Sequence, residues 1–141
     1  KHAGPALLAL ALSTRLPSTS VHGVEPADFD DTQRSLASGR TEQIDPAARS
    51  ICDALLSPAP GEITFSLNRQ LLSSVLTVSD ADVLRAMKLA FLHLKLVVEP
   101  GGCVGLAALQ SGKLDCNDQT VVVVLSGGNV DPQLFEQALN S

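Results

Sequence analysis

Four residues whose types could do chemistry, Ser126-Gly127-Gly128-Asn129, follow directly on the run Thr120-Val121-Val122-Val123-Val124-Leu125. Such a run, apolar without polar alternation, predicts a strand buried on both faces. In open parallel sheets ligands collect beyond the carboxyl ends of the strands, where glycine lets backbone approach them with no Cβ in the way. The same four residues also suit a tight strand-to-helix turn in which Ser and Asn cap backbone groups. Ser126 does not read as a hydrolase nucleophile, because no Gly-x-Ser-x-Gly elbow surrounds it. A second set of chemical groups is the acidic cluster Asp28, Asp30 and Asp31. At the start of a helix each carboxylate would contribute about 0.3–1 kcal/mol against the positive helix end. His2, His22 and His93 are dispersed, and His93 falls on a long helix, where a structural or solvated role is expected. Cys52, Cys103 and Cys116 show neither Cys-x-x-Cys nor zinc spacing, and predict a reducing, cytoplasmic compartment.

The elements that must position these groups are legible along the chain. Its 141 residues predict one domain, 1–141, able to bury roughly 68% of its unfolded surface. A hydrophobic fraction of 45% against 18% charged residues excludes a disordered chain. The 15 acidic and 10 basic residues, net charge −5, argue against a nucleic-acid partner, as does the lack of Trp and Tyr for base stacking. The apolar runs Ala6 to Leu12 and Val121 to Leu125 fall far short of the ~20 residues that cross a bilayer, so no membrane partner is expected. Lys1-His2 ahead of the first run has the outline of a secretory signal peptide. One firm positive charge and no clear small-x-small cleavage site favour a helix of the folded protein instead.

That helix runs from Gly4-Pro5 to Leu12 and is apolar almost all round, so it must be covered on most sides. A strand follows at Val21–Val24, then a helix from Asp28 to Ser38 stopped by Gly39. Helices are predicted at 46–56 and 62–73, separated by the breaker Ser57-Pro58-Ala59-Pro60-Gly61. After a strand at 75–78, Ser79-Asp80-Ala81-Asp82 supplies an N-cap and acidic first turn. Val83, Met87, Ala90, Phe91 and Leu94 fall on one face of the helix so begun. Glu99-Pro100-Gly101-Gly102 interrupts it, and a small-residue helix over 103–110 precedes the valine strand. A last helix begins at Pro132. Strands separated by helices indicate an α/β fold: an open, mainly parallel sheet with helices on both faces.

Several motifs occur in an order that resembles the C-terminal part of pyridoxal-phosphate enzymes of the serine/threonine dehydratase and serine racemase family, fold type II. They are Gly23-Val24-Glu25-Pro26 with its following acidic residues, Ser50-Ile51-Cys52-Asp53, Val78-Ser79-Asp80, Glu99-Pro100-Gly101-Gly102, and Val124 to Asp131. The Ser-Gly-Gly-Asn form is similar to the dehydratase branch more than to the sulfhydrylases and synthases. The resemblance implies a pyridoxal 5'-phosphate cofactor whose pyridine nitrogen is hydrogen-bonded by Ser126, with Gly127, Gly128 and Asn129 forming the wall and Glu99 lining the same pocket. A neutral hydroxyl there leaves the nitrogen largely unprotonated and tempers the electron sink, which elimination of a hydroxyl tolerates. It also implies a divalent cation on Glu25, the backbone carbonyl of Phe29 and Asp31, hard oxygen donors suited to Mg²⁺ or Ca²⁺. The alternative for these acids remains the helix-end role given above.

The chain departs from the family at two places. The lysine that joins the cofactor covalently lies, in the family, in a segment rich in Ser, Phe, Lys, Arg and Gly, and no such segment occurs. Lys88 and Lys95 fall on the long helix and Lys113 in a loop, so no catalytic residue is assigned. Where the family has a four-glycine phosphate turn, this chain reads His2-Ala3-Gly4-Pro5-Ala6, and Pro5 lacks an amide donor. A fold incomplete relative to that of the family is therefore expected, with the N-terminal part or another subunit as partner and a homo-oligomer in the complete enzyme. The expected activity is elimination of water from serine or threonine to give a 2-oxo acid and ammonia. Serine racemase-like activity and a non-catalytic interaction or regulatory fragment are the alternatives.

Overall fold

The computed structural model describes residues 3–141. Lys1 and His2, and with them the lead of the signal-like segment and the start of the phosphate-turn position, lie outside the described residues. Two short strands organise the remainder. β1 (His22–Pro26) and β2 (Ser74–Val78) pair in parallel, in register from His22 opposite Ser74 to Pro26 opposite Val78. The ladder opens with a side-chain hydrogen bond of 2.8 Å between His22 Nδ1 and Ser74 Oγ. A parallel pair needs a crossover, and here it carries α2 (Asp31–Ser38) and α3 (Glu62–Leu71). α1 (Ala3–Arg15) packs on α3. α4 (Asp80–Leu89), α5 (Pro100–Gln110) and α6 (Pro132–Leu139) complete an α/β arrangement.

The core lies where α4 meets α5 and α6, and is built of small and aliphatic side chains such as Val83, Ala86, Met87, Cys103, Ala107 and Ala138. Small residues on α5 allow the close approach that its composition predicts. An aromatic pair, Phe91 with Phe135, meets edge to face at 5.4 Å. α4 begins with the expected cap: Ser79 Oγ accepts the Asp82 amide N–H at 3.2 Å, and the Asp82 carboxylate accepts that of Ser79 at 3.1 Å. Val83, Met87 and Ala90 are buried as predicted, whereas Phe91 and Leu94 are exposed. The helix widens into a π-helical turn at Ala90–Leu94, which shifts the side-chain phase, and ends at Lys95 with φ 61°.

Four other expectations are corrected. The predicted helix over 46–56 is irregular, with one 3₁₀ turn at Asp53–Leu55. Its polar groups are engaged elsewhere: Ser50 Oγ donates to Asp80 Oδ1 at 2.6 Å and the Ile51 amide to Asp80 Oδ2 at 3.1 Å. The valine run joins no ladder, and its residues are half-buried at most, Val123 and Leu125 being the more covered. Val123 lies over Gly105 of α5, while Val122 and Val124 are 86% and 60% exposed. Among the described residues no strand stands beside it to cover the second face. Among the described side chains, α1 likewise buries Ala6 and Ala9 and leaves Leu7, Leu8 and Leu10 exposed, because α3 covers a single side. Finally, α5 starts at Pro100 instead of 103: proline is well suited to a first helical turn, so the Pro-Gly-Gly stretch opens the helix. Among the described residues no helix is long and apolar enough to cross a membrane.

Candidate functional site

The turn after the valine segment is seated on the start of α5. Glu99, the N-cap residue of α5, donates its amide N–H to the Gly127 carbonyl at 3.1 Å. Its side chain reaches back, and Oε2 accepts the Asn129 amide N–H at 3.2 Å. Gly127 has φ 80°, in the left-handed region, and a Cβ there would lie 2.5 Å from Oε1 and 2.6 Å from Oε2 of Glu99. A Cβ on Gly102 would fall on the carbonyl oxygen of Ser126, and one on Gly128 would meet the Val97 carbonyl oxygen at 3.0 Å. Two glycine-containing motifs that are far apart in sequence therefore interlock, each needing the other's missing side chains. The turn closes with the Val130 amide on the Gly128 carbonyl at 3.1 Å. Asp131 then caps α6, its Oδ1 accepting the amides of Gln133 at 2.8 Å and Leu134 at 3.1 Å. Ser126 is exposed, and its hydroxyl makes no hydrogen bond among the described residues.

The second predicted group lies at the corner between β1 and α2. Glu25 and Asp31 are buried, and so is Phe29 on the 3₁₀ turn Ala27–Phe29. The Glu25 carboxylate accepts the amides of Thr32 at 3.1 and 3.2 Å and of Gln33 at 3.0 Å, which places it at the helix end that Asp31 begins. Asp28 lies on the preceding 3₁₀ turn, Asp30 is the N-cap residue and Asp31 stands in the first turn of α2, so these acids do sit at the helix start, while the side-chain acceptance of its first amides comes from Glu25 of β1 and not from Asp30. Among the described residues no group of three or more His, Cys, Asp or Glu side chains stands close enough to hold a metal. Two carboxylates and one carbonyl would need water to complete a coordination shell.

The other candidate groups stay apart from the turn. Lys88 Nζ donates to the Ser141 carbonyl at 2.6 Å and Lys95 Nζ to that of Leu92 at 2.7 Å. Cys52 and Cys103 are buried, and burial pushes their thiols up to about 12 and about 11. Sequence reasoning missed the roles of Asp80, which ties the Ser50-Ile51 segment to α4, and of Gly102 and Val97 in the seat. Paired glycines in a helical first turn are unfavourable by propensity, and that cost is the signal that could have marked Gly102.

Residues 5–127 match the profile of a family described as "Pyridoxal-phosphate dependent enzyme". The chain belongs to this family. It is 39% identical over 138 residues to an L-threo-3-hydroxyaspartate ammonia-lyase of Pseudomonas sp, covering 96% of this chain and 43% of that protein. A serine racemase of Schizosaccharomyces pombe is 33% identical over 132 residues, covering 94% and 41%. Among solved structures, a threonine deaminase from T.th. superposes with a TM-score of 0.82 and 40% identity, over 89% of this chain and 46% of that one. This pyridoxal-phosphate family member therefore spans less than half the length of the relatives it matches. Its α/β fold is part of the fold-type II architecture, and its relatives are ammonia-lyases and serine racemases.

Proposed function

We propose that this chain is the pyridine-side part of an ammonia-lyase that removes water from serine or threonine, giving a 2-oxo acid and ammonia. The observation that carries the reading is Ser126: a neutral, exposed hydroxyl without a hydrogen-bond partner in the described chain, on a glycine turn that is itself firmly held. A hydroxyl of this kind fits a ring nitrogen, which it can serve as donor without protonating it. When bound, pyridoxal phosphate supplies an electron sink for the bonds at the amino acid's α carbon. Gly127, Gly128 and Asn129 form the wall beside it, and the missing Cβ atoms of the glycines let Glu99 and Val97 seat that wall on the start of α5. The substrate reading is supported by the relatives named for threonine and hydroxyaspartate, both β-hydroxy amino acids. The relatives named serine racemase favour a second reading, in which the same wall serves a racemase.

The remaining portion of the fold is the partner in this reading. The outward-facing Val122 and Val124, next to the turn, are the apolar surface it would cover, and it would supply the lysine and the phosphate turn. In this reading Glu25, the backbone carbonyl of Phe29 and Asp31 would hold Mg²⁺ or Ca²⁺, whose charge would brace the β1–α2 corner. The test is Ser126→Ala and Ser126→Asp in the enzyme assembled with the rest of its fold. Loss of one hydrogen bond costs about 0.5–1.5 kcal/mol, so the alanine variant should release cofactor roughly 2- to 10-fold more readily and slow elimination. The aspartate variant should favour a protonated nitrogen and redistribute products. Unchanged affinity, absorption spectrum and product ratio in both variants would reject the assignment.

A further inference from the structure

Among the described residues, Glu99 is the side chain of the seat that meets the turn at two points, the Asn129 amide and the place a Cβ on Gly127 would take. The Ser126 hydroxyl makes no bond there, so its placement depends on neighbours: the Ser126 carbonyl rests against Gly102, and the next residue is fixed by Glu99. The left-handed φ of Gly127 and the Glu99 carboxylate beside it specify one another, since any side chain at 127 would displace the carboxylate and loss of the carboxylate would take away the acceptor of the Asn129 amide. We propose that Glu99 is a positioning residue, its carboxylate anchoring the turn from below and so setting the direction in which Ser126 presents its hydroxyl. This rests on the reading of Ser126 given above and assigns Glu99 an action through the turn in place of direct contact with the ring.

The chemistry predicts which replacements are tolerated. Glutamine keeps the length and an oxygen acceptor for the Asn129 amide. Aspartate keeps the charge but is one methylene short, and alanine leaves the amide unpaired. Amide hydrogen exchange at Asn129, measured in the full chain without cofactor, reads the anchor alone. Cofactor retention in the assembled enzyme reads its consequence. Exchange should rise roughly 2- to 10-fold in Glu99→Ala and Glu99→Asp and stay close to wild type in Glu99→Gln, with cofactor retention following the same order. Glu99→Asp serves where the alanine variant does not fold. Unchanged Asn129 exchange in the alanine and aspartate variants overturns the anchor. Faster exchange with unchanged cofactor retention, while Ser126→Ala releases cofactor, overturns the positioning role and leaves the Ser126 reading standing. Faster exchange with neither Glu99 nor Ser126 variants affecting retention overturns both. Equal loss of retention in Glu99→Gln and Glu99→Ala would mean that the charge itself meets the cofactor, and would also overturn the proposal.

Discussion

Gly102→Ala separates local propensity from tertiary fit. Alanine in place of glycine in a helix gains about 0.5–1 kcal/mol from backbone entropy alone. Here the new Cβ would fall on the Ser126 carbonyl oxygen, 2.8 Å from its carbonyl carbon and 3.0 Å from Val98 Cγ1. The obstacle is backbone, which cannot rotate aside as a side chain does. Making room means lifting the turn off α5 and weakening the Glu99–Gly127 and Asn129–Glu99 hydrogen bonds, each worth about 0.5–1.5 kcal/mol. Overpacking of this kind costs about 1–3 kcal/mol, enough to outweigh the helix gain. Thermal and urea denaturation of the full chain should show a net loss of roughly 0.5–2.5 kcal/mol once the helix gain is subtracted, about 4 °C in Tm for each kcal/mol. Two glycines of the same helix are internal controls. A Cβ at Gly101 meets only the Leu55 and Ala54 side chains at 3.3 and 3.6 Å, and one at Gly105 meets Val123 Cγ1 at 3.1 Å. The expected order of stability is Gly101→Ala, then Gly105→Ala, then Gly102→Ala. Were Gly102→Ala as stable as wild type or more so, the interlock of the two motifs would be refuted.

At pH 8 a thiol reagent should label Cys116 in the native chain and all three cysteines after denaturation, because burial holds Cys52 and Cys103 protonated; equal native rates would contradict that burial. Ser79→Ala should cost about 1 kcal/mol at pH 7 by removing the cap of α4. The Ser79 hydroxyl is also the main cause that holds the Asp82 carboxyl below its usual range, so this stabilisation is present above the ordinary carboxylate pKa and lost as pH falls through the lower folded value. The gap between wild type and Ser79→Ala should therefore narrow in acid melts, and a gap constant down to pH 2 would count against the linkage. Mg²⁺ or Ca²⁺ at a hundredfold excess over Kd should stabilise the chain by about 2.7 kcal/mol, and neither Glu25→Gln nor Asp31→Asn should keep the shift; a shift as large as that of wild type in both variants would exclude this site.

The sequence alone determined the helices with periodic faces and their stops, because those are set by contacts within a few residues: the Ser79–Asp82 cap, the buried face through Ala90 and the Asp131 cap of α6 follow from local chemistry. It also determined the family, through motifs whose order survives without any geometry. Residues 46–56 took no helix because Asp80, some thirty positions away, draws their polar groups, a competition no local window contains. The valine run joins no sheet and is at most half-buried, at Val123 and Leu125, since strand pairing depends on a neighbour and not on the run's own residues. Only the tertiary structure decided that Glu25 caps α2 and that Gly102 and Gly127 are needed for each other's motif. In each case the deciding force is steric exclusion or a hydrogen bond between backbone and side chain, and both act over a few ångströms in space whatever the separation along the chain.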